Sequence, residues 1–268
     1  MKNDILLEFH RASFYSCPTC STDGVSDDAF SVFMNCLPML LLRDREAFWN
    51  ALRSRGLTGR GLMGLAAFIV VVCAVYGSVL AGWRAPRLSL YVAVKLPVLF
   101  LGTTALVTAF NWMSASLLGA GLSLRSTLVV VFASMAIGCW ILLGLLPVAL
   151  FFLVSGVVRT GTPDELRYAH NAILLTHIVI LALAGFAGNA ALLKGLRRVV
   201  NPRCPVCALF LLWIAAFAFV GCQLSWILRP FVGSPFYPVA FLRADALDRN
   251  FYEFVFTEVI PFLVTGAR

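Results

Sequence analysis

Five long apolar blocks govern what this chain can become. They run from about Leu62 to Trp83, Leu90 to Met113, Ser126 to Val158, Tyr168 to Leu193 and Pro205 to Leu228. Each reaches the roughly 20 residues needed to cross a ~30 Å hydrocarbon core. In hydrocarbon every backbone N–H and C=O must be paired within its own segment, so each block is predicted to be helical. The expected fold class is an all-α membrane protein. It is a bundle of five transmembrane helices, with amphipathic interfacial helices before the first span and after the last. Composition agrees: 60% of the residues are hydrophobic and 13% charged, where a soluble domain carries about 25% charged residues.

The third block is long enough to tempt a division into two helices. Its LLGLLPVALFFL stretch around Pro147 holds no polar turn. A single tilted or Pro-kinked helix is therefore expected, because neighbours can re-satisfy the freed carbonyl. Three regions follow from this count. Residues 1–61 form an N-terminal segment with an interfacial helix, 62–230 the five-span bundle, and 231–268 a tail with an interfacial or re-entrant helix.

Within the first region, FSVFMNCLPMLLL (30–42) is apolar but too short to cross. RDREAFWNALRSRG follows, with Phe48, Trp49 and Leu52 on one side, and is expected to lie at the interface. MKNDILLEFHRAS has no apolar core, which argues against a secretory signal. In the tail, RNFYEFVFTEVIPFLV sets Asn250, Glu253 and Thr257 at helical spacing against Phe251, Phe254 and Ile260. Glu258 and Pro261 within it argue against a sixth span.

The net charge of +8 comes mostly from Arg and Lys between the blocks. Twelve of them lie on the side that holds the N-terminus and eight on the other. The positive-inside rule then places the N-terminus in the cytoplasm, with KGLRRVVNPR as the densest cluster. The basic residues do not line one soluble face. Anionic lipid headgroups, not nucleic acid, are their expected partners.

Certain phrases carry a resemblance. VYGSVLAGW, LYVAVKLPVLFLGTTALVTAFNWM, CQLSWILRPFVGSP and DRNFYEFVF resemble a family of uncharacterised bacterial multi-span inner-membrane proteins, loosely similar to the Yip1-like membrane proteins. The similarity runs from about residue 60 to 258. It implies a helical bundle in a bacterial cytoplasmic membrane and no established activity, so no catalytic residue is carried across.

The interior chemistry begins with an absence. All thirteen Asp and Glu residues lie outside the five blocks. Proton-coupled carriers and membrane hydrolases usually keep a carboxylate at depth, to relay protons or hold a metal. No phosphate-binding loop, Gly-x-Ser-x-Gly or His-Glu-x-x-His occurs. The chain is therefore read as non-enzymatic, organising the membrane or binding partners. One alternative is a solute or lipid transporter or channel, with Lys95, His170, His177 and Gln223 lining a polar path.

Each of these residues also has a structural reading. Lys95 can snorkel to the interface or meet an anionic headgroup. His170 and His177 share one helical stripe about 10 Å apart, suited to interhelical hydrogen bonds. Arg229, before Pro230, can pair with a lipid phosphate or a tail carboxylate such as Glu253. Asn111 and Trp112 are expected to anchor the interface. Ala184, Gly188, Ala187 and Ala191 sit at four-residue spacing and invite close helix packing.

A second alternative is thiol chemistry. Cys17–Cys20 and Cys204–Cys207 form two C-P-x-C pairs separated by four spans. Both pairs therefore share one side of the membrane and could together bind zinc as a tetrahedral thiolate site. Cys204 and Cys207 could instead be a redox pair, their thiols acidified by the helix N-terminus and Arg203. The bland reading is unpaired cysteines at a membrane surface. Cys36, Cys73, Cys139 and Cys222 read as small apolar residues.

Overall fold

The computed structural model describes residues 37–43, 48–49, 59–155, 161–234, 236, 238–243 and 245–265. Among them, five helices are long and apolar enough to cross a membrane. They are α2 (Gly59–Ala81), α3 (Pro86–Leu117), α4 (Leu124–Ser155), α5 (Pro163–Val199) and α6 (Val206–Leu228). A short α1 (Leu37–Arg43) precedes them. After them come α7 (Phe251–Phe254), a π-helical turn (Val255–Val259) and α8 (Ile260–Thr265). The architecture is an all-α bundle, and the third block is one helix that carries Pro147 inside it.

Local chemistry sets the ends. Pro86 and Pro163 stand in the first turns of α3 and α5, where a missing N–H costs nothing. Thr162 caps α5 in a reciprocal box: its hydroxyl accepts from the Glu165 amide while Glu165 accepts from the Thr162 amide. The α3–α4 loop turns through Gly119 and Gly121, at φ of 68° and 70°, a region that side chains disfavour. That loop is tied to the α5–α6 loop, because Asn201 N–H donates to the Ala120 carbonyl.

In hydrocarbon, apolar surface alone gives helices little reason to associate, so close backbone approach does much of the work. Here α4 packs on α5 and α2, α2 on α3, and α3 on α6. Gly77 lets α2 touch α3: a Cβ there would stand 2.6 Å from the Val92 carbonyl oxygen. Gly138 and Gly188 interlock α4 with α5, their Cβ positions each 3.1 Å from a carbonyl oxygen, of Ala184 and Ser134 respectively. This is the small-residue seam that the spacing of Ala184 and Gly188 predicts.

The bundle has a proximal end, where α2, α4 and α6 begin, and a distal end. At the proximal end the apolar core joins Leu65, Val129, Leu196, Leu209 and Trp213 with Leu41 of α1. The stretch before α2 is deeper than an interfacial location. Leu41 is fully buried, and the Pro38 carbonyl accepts from Trp140 Nε1 at 2.9 Å, sixteen residues into α4. Phe48 and Trp49 are helical and buried, with the Trp49 ring in the space that Gly195 leaves open. Most of the predicted interfacial helix lies outside the described residues.

Candidate functional site

On the transporter alternative Lys95, His170, His177 and Gln223 line one path; in the structure each makes its own contact. Lys95 does not reach the interface. It is fully buried, donates from Nζ to the Pro230 carbonyl at 3.1 Å, and lies 5.1 Å from the Phe241 ring centroid. A long side chain snorkels only when its head can find water. The folded segment after α6 covers this one and offers a carbonyl instead.

His177 Nδ1 lies 2.8 Å from the Tyr76 hydroxyl, an interhelical hydrogen bond between two buried rings. His170 packs on Trp83, ring centroids 5.5 Å apart. Both histidines therefore face the same side of the bundle, His177 meeting α2 and His170 the turn that follows it, as their shared stripe predicts. Gln223 accepts the Phe251 amide at 3.0 Å and fixes the start of α7 against α6. None of Lys95, His170, His177 and Gln223 lines the three cavities with the best-defined walls. Each instead makes a contact of its own inside the protein.

At the distal end, donors meet three carbonyls of the segment after α6. Lys95 takes Pro230, Trp83 Nε1 takes Val232 at 2.8 Å, and Arg84 Nε takes Ser234 at 3.2 Å. Gly233, at φ 73°, lets the segment lie against Leu88. Arg229 pairs with a tail carboxylate, but with Asp245 at 3.2 Å, and its guanidinium sits over Trp226. Asp245 also accepts from Arg243 at 2.9 Å. Desolvation pulls its pKa up, yet Arg243, the local backbone and the Arg229 charge outweigh this and hold it below the usual carboxylate value.

Cys17 and Cys20 lie outside the described residues, so the four-thiol set is seen only in half. Cys204 is buried in the proximal core beside Leu209, while Cys207 is exposed. The acidified Cys204 thiol is corrected: desolvation pushes its pKa up. Among the described residues no three His, Cys, Asp or Glu side chains converge. Cys73 and Cys139 meet between α2 and α4 as buried residues of an apolar cluster.

An apolar cavity lies beside the small-residue seam: Gly138, Ala184 and Gly188 all line it. It measures about 410 Å³ and is lined by α3, α4, α5 and α6. Its walls are mostly apolar, among them Leu96, Leu142, Leu181 and Phe217. The short connection from Val200 to Pro205 holds α5 and α6 together at the proximal end, where Leu192 and Trp213 share the core. Further on, Ile180 and Ala184 belong to a second cluster that no buried α6 residue joins. Gly185 and Asn189 of α5 and Ala218 of α6 line the cavity and are exposed, which marks its rim.

Asn111 and Ser134 are buried polar residues of this wall, 2% and 6% exposed. Of Asn111 and Trp112, the pair expected to anchor the interface, Trp112 is the exposed one. Trp213 Nε1 donates to the Asn111 backbone carbonyl at 3.0 Å and to Ser114 Oγ at 3.1 Å. The Asn111 side-chain Oδ1 is buried without a hydrogen-bond partner. The sequence signal was an Asn two residues inside the expected end of the second block at Met113, and the helix runs on to Leu117. Nothing there told burial from exposure.

No protein-family model, no curated protein and no solved structure matches this chain.

Proposed function

We propose that this chain is a non-enzymatic multi-pass membrane protein whose bundle holds a lipid in the cavity between α3, α4, α5 and α6. One observation carries the reading: an apolar cavity of about 410 Å³ lies between four long apolar helices, and Gly185 and Asn189 of α5 and Ala218 of α6 stand exposed at it. A molecule entering from the bilayer would exchange one apolar environment for another. It would gain close contact with the wall that fluid chains do not give. The acid-free spans support the reading too, since no carboxylate stands at depth to move a proton. A bacterial cytoplasmic membrane, with the N-terminus inside, is part of the same proposal and rests on the basic clusters.

Native mass spectrometry of protein released from mild detergent tests this. Wild type is expected to retain lipid, and Gly185→Phe to lose it while remaining monodisperse. A Cβ at Gly185 meets nothing within 4 Å, so the ring can enter the cavity without a backbone clash. Equal lipid retention in the two proteins would refute the reading.

A further inference from the structure

A second cavity, of about 470 Å³, lies at the distal end and shares no lining residue with the apolar one. Arg84 comes to it from the turn after α2, Leu88 from the first turn of α3, and Pro230 from the segment that leaves α6. All three stand within a few residues of the end of a spanning helix, which places this cavity at the depth of lipid headgroups. The tail completes it with Leu242, Arg243 and Asp245. The wall is held in place, because Lys95, Trp83 and Arg84 donate to carbonyls of the segment that forms it.

Its lining is of two kinds, apolar at Leu88, Pro230 and Leu242 and charged at Arg84, Arg243 and Asp245. Among the described residues no other charged side chain lines it. The Asp245 carboxylate is ionised at neutral pH and is shared by Arg229 at 3.2 Å and Arg243 at 2.9 Å. With Arg84, three guanidiniums stand around one carboxylate, so the site carries an excess of positive charge. The Arg243 side chain is 42% exposed, within reach of a molecule at the surface. Guanidinium matches phosphate oxygens as a planar fork. We propose that this distal cavity binds the phosphodiester of an anionic phospholipid, with the phosphate against Arg84 and Arg243 and the glycerol and upper chain along Leu88, Pro230 and Leu242. Free phosphate has the same chemistry for the guanidiniums and leaves the apolar side unfilled. A choline headgroup brings a cation to a site that already has too many. The assignment does not depend on what the apolar cavity holds.

The test uses the full chain in phosphatidylcholine nanodiscs and two probes at equal dose. One is phosphatidylglycerol with a diazirine on the first carbons of one chain; the other is phosphatidylcholine with the same chains. In wild type the phosphatidylglycerol probe is expected to label residues 84–88 and 238–243 about fivefold more than its partner, the worth of one basic residue at an anionic surface. Arg243→Gln should bring the ratio near one. Arg87→Gln should leave it unchanged, because Arg87 is exposed on the same turn of α3 and does not line the cavity. Inorganic phosphate, added at constant ionic strength, should leave the labelling as it was. Equal labelling of wild type by the two probes overturns the proposal. So does an equal fall in the ratio for Arg87→Gln and Arg243→Gln, which would mean diffuse attraction to a basic surface. Displacement by inorganic phosphate would make free phosphate the occupant and overturn the lipid. The wild-type comparison and the phosphate competition need no substitution, so a variant that fails to fold does not rescue the proposal.

Discussion

Lys95 Nζ donates to the carbonyl of Pro230, 135 residues further along the chain, from a fully buried position. This contact holds one end of the distal segment, and Trp83 and Arg84 hold its next alternate carbonyls. Lys95→Met keeps the apolar stem and removes the donor. Amides 231–234 are expected to open more readily by about 1.5–3 kcal/mol, the usual worth of a hydrogen bond to a charged group. Hydrogen exchange by mass spectrometry checks this. The spans should exchange as before, since the substitution also relieves them of a desolvated charge.

Tyr76 and His177 provide a measurable interhelical hydrogen bond at membrane depth. A cycle of Tyr76→Phe, His177→Phe and the double variant should give a stabilising coupling near 0.6 kcal/mol and below about 1.7 kcal/mol. Steric-trap unfolding in bicelles would measure it. Zero coupling would mean that the two rings merely pack.

Two glycines should respond oppositely to one substitution. Gly77→Leu drives a Cβ to 2.6 Å from the Val92 carbonyl oxygen, a backbone atom that cannot rotate away. Loss of about 1–3 kcal/mol of stability is expected. Gly144→Leu meets nothing within 4 Å and faces outward, so a change within about 0.5 kcal/mol is expected. Thermal aggregation profiles in one detergent would separate the two.

The two cysteines before and within α6 predict an alkylation contrast. With each kept as the single cysteine, exposed Cys207 should react quickly with an impermeant maleimide at neutral pH. Buried Cys204, its thiol pKa raised by desolvation, should react slowly and gain as pH rises. On the proposed orientation, Cys207 in intact cells reacts only after the inner membrane is opened. Labelling of intact cells would place the N-terminal side outward.

Asp245 predicts a pH limit for the tail. Its pKa lies below the ordinary carboxylate value, so its contribution is complete above about pH 4 and is lost as pH falls through the lower folded value. Protease sensitivity of residues 238–265 should therefore be flat across neutral pH and rise only below about 4. Asp245→Asn should show the raised sensitivity at every pH, because Arg229 and Arg243 lose the carboxylate they share.

The sequence by itself determined the five helices, the unbroken third span, and the small-residue seam at Ala184 and Gly188. Length and apolarity are one-dimensional properties, and hydrocarbon permits only one way to satisfy a lone spanning backbone. It also put His170 and His177 on one stripe, because helical periodicity is local. Only the tertiary structure decided what those side chains meet. Lys95 finds Pro230 instead of water, Arg229 finds Asp245 instead of Glu253, and Tyr76 emerges as the partner of His177. The cavity was the least legible feature of all. It is built from residues of four helices, and the placement of one helix against another leaves no mark on the spacing of residues within either.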